Sequence, residues 1–189
     1  MHSTERRSRS RELPIMYAVI TWLESQQWPF ITWEVTIPRG LIRGRVDVAA
    51  ASKGFRQSVA VEVKAAYVPE NPEGQLFDAQ RAAEYVYIAA PPDVLCMIEI
   101  PASVGILEAR SDGSRTIVIA KRPAKRGKPQ REARKDYLHS LIRAAARRST
   151  LESALVAKSV CPACMSNHCP FWRVPVDIEE VEIDSEDIS

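Results

Sequence analysis

Apolar and polar positions alternate along the chain in two distinct rhythms. Over residues 13–27 the apolar side chains Ile15, Met16, Val19, Ile20 and Leu23 recur at helical spacing, which predicts an amphipathic helix ending near Trp28-Pro29. Residues 30–37 then alternate and are rich in β-branched and aromatic types, as expected of a strand. After a turn at Pro38-Arg39-Gly40, residues 46–51 and 59–65 predict two more strands, separated by a turn at Ser52-Lys53-Gly54. A Pro- and Gly-bearing loop over 67–74 leads to a short helix at 75–84 and a fourth strand at 85–90, closed by Pro91-Pro92. Further strands are expected at 94–100, 105–109 and 116–120, with Asp112-Gly113 turning between the last two. Residues 121–129 are basic and Pro-rich and read as a mobile linker, followed by a long helix at 131–148 with Tyr137, Leu138, Leu141, Ile142 and Ala145 on one stripe. The expected core is α-β-β-β-α-β with extra strands, a mixed α/β sheet.

Composition narrows the class. The 189 residues are 46% hydrophobic and 26% charged, which fits one ordinary globular domain with a modest appendage. No apolar run approaches the roughly 20 residues that span a bilayer, so no membrane partner is expected. Arg6, Arg7, Arg9 and Arg11 precede an apolar stretch in the manner of a secretory signal, but Glu24-Ser25-Gln26-Gln27-Trp28 offers no small-residue cleavage site. Three of the four cysteines crowd into residues 161–169, unlike a disulfide framework, and a cytoplasmic location is expected.

The net charge of +2 conceals an asymmetry. Residues 121–148 hold eleven Lys or Arg against Glu132 and Asp136, whereas residues 177–187 hold seven carboxylates and no base. The basic block suits a phosphate backbone, with Arg131, Arg134, Arg143 and Arg147 as candidate DNA contacts on the solvent side of the last helix. The acidic segment 177–189 is expected to be disordered.

Two positions break the apolar strands in a way that points to chemistry. Asp47 lies among Val46, Val48, Ala49 and Ala50, where an unpartnered carboxylate costs several kcal/mol. In Val59-Ala60-Val61-Glu62-Val63-Lys64 the two charged residues are separated by two and share one face. If the second and third strands are antiparallel neighbours, Asp47 and Glu62 reach the same end of one sheet face. Two converging carboxylates repel unless a divalent cation intervenes, and Mg²⁺ accepts one or two carboxylates completed by water and phosphate oxygens. The Lys64 ammonium can orient a water and stabilise charge on an attacked phosphodiester. A surface Glu62–Lys64 pair without functional meaning is the plain alternative.

The ordered set Asp47, then Glu62-Val63-Lys64, on consecutive strands behind an N-terminal helix resembles the PD-(D/E)xK nuclease superfamily. Over roughly residues 12–148 the chain is similar to the MmcB-type DNA-repair endonuclease family. The similarity runs through Trp33-Glu34, Gly44-Arg45-Val46-Asp47, Val61-Glu62-Val63-Lys64, Tyr85-Val86-Tyr87-Ile88-Ala89-Ala90-Pro91 and residues 101–110. The resemblance implies a restriction-endonuclease-like core, a C-terminal basic helix and an Mg²⁺- or Mn²⁺-dependent DNA endonuclease active in repair or processing. It places Asp47 and Glu62 on the metal and Lys64 beside the attacking water. Glu34 is a further acidic candidate, with Glu12 and Glu24 as competitors, and Asp78 or Gln80 completes the site from the following helix. Val46 stands where the superfamily usually has proline, and the loop at 67–74 is longer than usual. A catalytically inactive nucleic-acid-binding or adaptor protein of the same fold is the alternative, as is a homodimer to a monomer.

Residues 149–176 form a second, small region around Cys161-Pro162-Ala163-Cys164 and His168-Cys169. A C-x2-C turn aims two thiolates at one point, and His168 and Cys169 can close on the same ion. Zn²⁺ is the favoured metal; an iron-sulfur cluster would draw instead on Cys161, Cys164, Cys169 and the distant Cys96. Cys96, beside Leu95 and Met97, otherwise reads as a buried small hydrophobe.

Overall fold

A computed structural model describes residues 2–37, 44–67 and 72–156. Helix α1 (His2–Ser25) is followed by strands β1 (Phe30–Ile37), β2 (Gly44–Ala51) and β3 (Ser58–Val63), helix α2 (Pro72–Ala82) and strand β4 (Tyr85–Ala90). A one-turn helix α3 (Pro92–Leu95), strands β5 (Gly105–Ser111) and β6 (Thr116–Arg122) and helix α4 (Arg131–Val156) complete the order. The six strands form one mixed sheet in sequence order. β1, β2 and β3 pair antiparallel, β3, β4 and β5 pair parallel, and β6 returns antiparallel beside β5. The expected mixed α/β class and its α-β-β-β-α-β order are therefore present.

Both faces of the sheet are covered, which explains why its central strands are apolar on both sides. On one face α1 lays Ile15, Met16, Val19 and Leu23 over Val48, Ala50, Val59, Val61 and Val63. On the other, Leu76 and Ala79 of α2 and Ala133, Tyr137 and Leu141 of α4 cover Ala49, Ala60, Ile88 and Ala90. Small residues on β2 and β4 let the helices approach closely. The Tyr137 hydroxyl, buried in this layer, donates to the Val59 carbonyl at 2.6 Å, so α4 is keyed to the start of β3. The larger compact unit ends at Arg147, and the residues from Arg148 onward belong to a second unit.

Several expectations are corrected. α1 begins at His2 rather than at 13, leaving Pro14 inside the helix. The strand expected at 94–100 is absent: Pro92 and Asp93 start the one-turn α3, and Cys96 caps it, exposed and not buried. Topology gives the reason. β4 and β5 are parallel, so the chain between them must travel back across the sheet, which needs a crossover and not another ladder strand. Residues 121–129 are not a loose linker. β6 takes Lys121 and Arg122, and the amides of Lys125, Gly127 and Gln130 donate to the carbonyls of Ser103, Glu84 and Arg81. Ile142, expected on the buried stripe of α4, is exposed.

Candidate active site

The β2–β3 ladder pairs Ala51 with Ser58 and runs to Val48 opposite Val61, where it stops. β2 continues beside β1 to Gly44, and β3 continues beside β4 through Glu62 opposite Ile88 and Val63 opposite Ala89. The two strands thus diverge immediately beyond Val48 and Val61, and the residues at the fork are Asp47 and Glu62. Asp47 Oδ2 accepts the Val63 N–H at 2.8 Å, a side-chain bond beyond the last β2–β3 pair. Lys64 donates its own backbone N–H to the Ala89 carbonyl at 2.9 Å, which holds its side chain at the same end of the sheet.

Asp47 and Glu62 are 8% and 6% exposed, so neither is an ordinary surface acid. The Lys64 ammonium lies 2.8 Å from Glu62 Oε1 and is itself mostly covered. This removes the plain reading of Glu62 and Lys64 as a solvent-facing pair. Burial raises the proton affinity of Glu62, and the neighbouring Asp47 charge raises it further, to about 8 despite the attraction of Lys64. Burial also raises Asp47, opposed by the Val63 N–H, Lys64 and Arg45. Desolvation pulls Lys64 down, but Glu62 and Asp47 together leave its affinity above the ordinary value. Two carboxylates and one ammonium therefore share a shielded pocket in which burial and mutual repulsion favour a proton on the acid pair.

Further charges flank this set from two sides. Arg45 Nη2 stands 3.9 Å from Asp47 Oδ1, and Arg45 Nη1 stands 3.8 Å from Glu34 Oε1. Glu34 adopts a left-handed backbone, φ 53°, within β1, a conformation that costs a non-glycine residue about 1 kcal/mol or more. Its charge acts on Asp47, and that of Glu12, from α1, acts on both Glu62 and Lys64. Glu12 and Glu34 thus both border the set, on the Lys64 and Asp47 sides respectively. Sequence reasoning missed Arg45; its place two residues before Asp47 on the same strand is the available signal.

The other expected members lie elsewhere. α2 runs back from the C-terminal end of β3 to the start of β4, so Gln80 sits near the far end of the sheet and donates to Ser103 Oγ at 2.6 Å. Asp78 pairs with Arg81 at 3.8 Å. Arg134, expected on the solvent side, binds the buried carboxylate of Glu84 and donates to the Phe55 carbonyl at 2.8 Å. Glu84 also accepts the N–H of Ser58 at 2.9 Å, so this cluster clamps α4 to the sheet. Arg131, Arg143 and Arg147 are exposed. From Tyr137 onward α4 advances in the direction of β3, carrying Arg143 and Arg147 toward the end that holds Glu62. Cys161, Cys164, His168, Cys169 and the acidic segment 177–189 lie outside the described residues.

Among the described residues no three or more His, Cys, Asp or Glu side chains gather to hold a metal ion by themselves. Asp47 and Glu62 nevertheless fit a hard divalent cation, because they supply carboxylate oxygens, and Mg²⁺ completes its shell with water and phosphate. No helix among the described residues is long and apolar enough to cross a membrane.

No family model matches the chain, and no curated protein matches it significantly. A solved structure with a similar fold is that of "SPO1766 protein of unknown function from Silicibacter pomeroyi", with a TM-score of 0.60 and 19% sequence identity over 76% of this chain and 91% of that one. At that identity the likeness concerns the fold alone.

Proposed function

We propose that the chain is a metal-dependent phosphodiesterase acting on DNA, an endonuclease of the PD-(D/E)xK type similar to the MmcB-type repair enzymes. One observation carries this reading: Asp47 and Glu62, from neighbouring strands, are buried at the fork of β2 and β3 with the Lys64 ammonium 2.8 Å from Glu62. A structural salt bridge needs one carboxylate for one ammonium. The second buried acid, although it accepts the Val63 N–H and lies 3.9 Å from Arg45, adds a repulsion against Glu62 that a cation would relieve.

Asp47 and Glu62 would hold Mg²⁺ or Mn²⁺, and Glu62 must release its proton to do so. A divalent ion bound there supplies charge neutralisation at the phosphodiester and increases the acidity of water. Lys64 is placed to hydrogen-bond the attacking water or a phosphate oxygen and to stabilise the negative charge that grows there. Arg45 steadies Asp47 on the side away from Lys64. The fork supplies the open position: with no ladder partner beyond Val48 and Val61, a substrate phosphate can approach the acids. Exposed Arg131, Arg143 and Arg147 would add sequence-independent, salt-sensitive affinity for the backbone. The cysteine cluster at 161–169 would form a separate zinc or iron-sulfur centre.

A catalytically inactive DNA-binding protein of this fold is the second reading, favoured by the absence of a three-ligand acidic cluster among the described residues. Incubation with Mn²⁺ and single-stranded, duplex and branched DNA separates the two. Cleavage by the wild type that is lost in Lys64→Ala, with DNA binding retained and the circular dichroism spectrum of a folded chain, supports the enzyme. Wild-type protein that binds these substrates and cuts none of them supports the inactive form.

A further inference from the structure

An open cleft of about 610 Å³ lies at the same end of the sheet as Lys64. Its walls are the middle of α1, the segment leaving β3, the Pro91-Pro92 corner after β4, and the β5–β6 hairpin. The cleft neighbours the candidate site along the chain. Ala65, on its wall, follows Lys64, and Arg11, also on its wall, precedes Glu12, whose charge acts on Glu62 and Lys64. β5 runs parallel to β4, so the hairpin turn at Asp112-Gly113 stands at this end too. Asp112 Oδ1 stiffens that turn by accepting the N–H groups of Ser114 and Arg115 at 3.0 and 2.8 Å.

The chemistry of the cleft is mixed in a specific way. Pro14, Ile15 and Pro91 make an apolar floor, while Arg11 and Arg110 bring two guanidinium groups to its rim. Glu108 engages Arg110 through Nε, at 2.6 Å, so the two terminal nitrogens remain outside that bond. Cationic rims above an apolar floor match a nucleic-acid strand whose phosphates are held at the edge while an unstacked base or sugar enters. The volume suits a single nucleotide unit and lies within the range of small-ligand sites. A duplex keeps its bases stacked inside and could offer the floor nothing without extruding one.

We propose that this cleft seats an unpaired DNA strand flanking the scissile phosphodiester, with Arg11 and Arg110 holding successive phosphates, so that the preferred substrate is single-stranded or locally unpaired DNA. The location rests on the reading of Asp47, Glu62 and Lys64 as the reaction centre, whereas the binding test does not depend on cleavage.

Fluorescence anisotropy of a labelled ten-residue oligothymidylate, read in a Lys64→Ala background so that nothing is cut, tests the assignment. Arg11→Ala/Arg110→Ala should reduce the slope of log affinity against log salt by about 1.4, at about 0.7 for each single-strand phosphate released. That slope corresponds to about a 25-fold loss at 0.1 M salt relative to 1 M salt. Lys125→Ala/Arg126→Ala removes the same charge from residues outside the cleft wall and should cost far less. Equal losses in the two double variants would overturn the proposal, as would an equal loss on a blunt duplex of the same length. Unchanged circular dichroism melting of the variants keeps folding out of the comparison. A protein that cuts no DNA but loses single-strand affinity only in the cleft variant would overturn the nuclease reading and keep the cleft as a strand-binding site.

Discussion

Replacing Glu62 by glutamine should make the metal-free protein more stable at alkaline pH while removing its capacity to hold a cation. The carboxyl of Glu62 rises from an ordinary 4.5 to about 8 in the folded chain, first through burial and then through Asp47. Between those values the native state binds a proton that the unfolded state has released, so stability must fall as pH rises. At about 1.4 kcal/mol per pH unit the full loss approaches 5 kcal/mol, a large fraction of the 5–15 kcal/mol that holds a typical domain together. It is an upper figure, because Asp47 and Glu62 compete for the same proton and relaxation of the site lowers the penalty. Glutamine mimics the protonated form permanently. In EDTA, urea titrations at pH 5, 6, 7 and 8 should show the wild type losing several kcal/mol while Glu62→Gln stays nearly level, the two curves meeting near pH 5. Adding Mn²⁺ at pH 8 should restore the wild type by about 2.7 kcal/mol at a concentration 100 times its Kd and leave the variant unmoved. A wild-type stability that is flat or rising from pH 5 to 8, or a variant with the wild-type slope, would refute the argument that these buried acids repel one another in the absence of a cation.

Other perturbations probe separate regions of the fold. Arg134→Ala strips the partner from buried Glu84 and should cost about 3–5 kcal/mol in urea unfolding. A loss below about 1 kcal/mol, accompanied by a tenfold drop in DNA affinity, would instead return Arg134 to the DNA-contact role expected from the sequence. In Gly105→Ala the new methyl meets the ring of Tyr87 and stands 2.7 Å from the Ala124 amide, so overpacking should lower stability by about 1–3 kcal/mol. An unchanged melting temperature would place that ring elsewhere. Elemental analysis of the full chain should find about one zinc per chain, or an anaerobic absorption spectrum should show iron-sulfur bands; neither metal would remove the cysteine centre.

Much of the sheet is legible because its strands satisfy two local signals at once. Phe30–Ile37 and Tyr85–Ala90 are β-branched or aromatic runs closed by turn residues, and the structure gives them the expected bounds. Residues 94–98 carry the same kind of apolar run, yet Met97 is 62% exposed and the segment turns as part of a crossover. Nothing local distinguishes that run; the requirement comes from β4 and β5 being parallel, a relation between segments far apart. Arg134 fails for a similar reason. On its own helix it resembles its exposed neighbours, and its partner Glu84 lies fifty residues away. Strand periodicity sufficed to bring Glu62 and Lys64 to one side, whereas the approach of Asp47 depended on register. A shift of one residue in the pairing of Val48 with Val61 would have turned Asp47 away from Glu62.

The fork itself ties this register to chemistry. Had β2 and β3 stayed paired for one more step, Asp47 and Glu62 would form an ordinary cross-strand couple, and like charges so placed are destabilising without purpose. Separation of the strands instead lets the Asp47 side chain satisfy the Val63 amide, and backbone pairing with β4 holds the next turn of chain rigid under Lys64. Asp47 is thereby held by a main-chain N–H, and Glu62 by its strand pairing with β4 and by the Lys64 ammonium. A purely structural polar cluster in the same protein has the opposite form. Glu84 is buried to the same degree, but it accepts from Ser58 and Arg134. Within one sheet, then, Glu84 meets a guanidinium and a backbone amide, whereas Asp47 and Glu62 repel one another, and the proposed cation site rests on that difference.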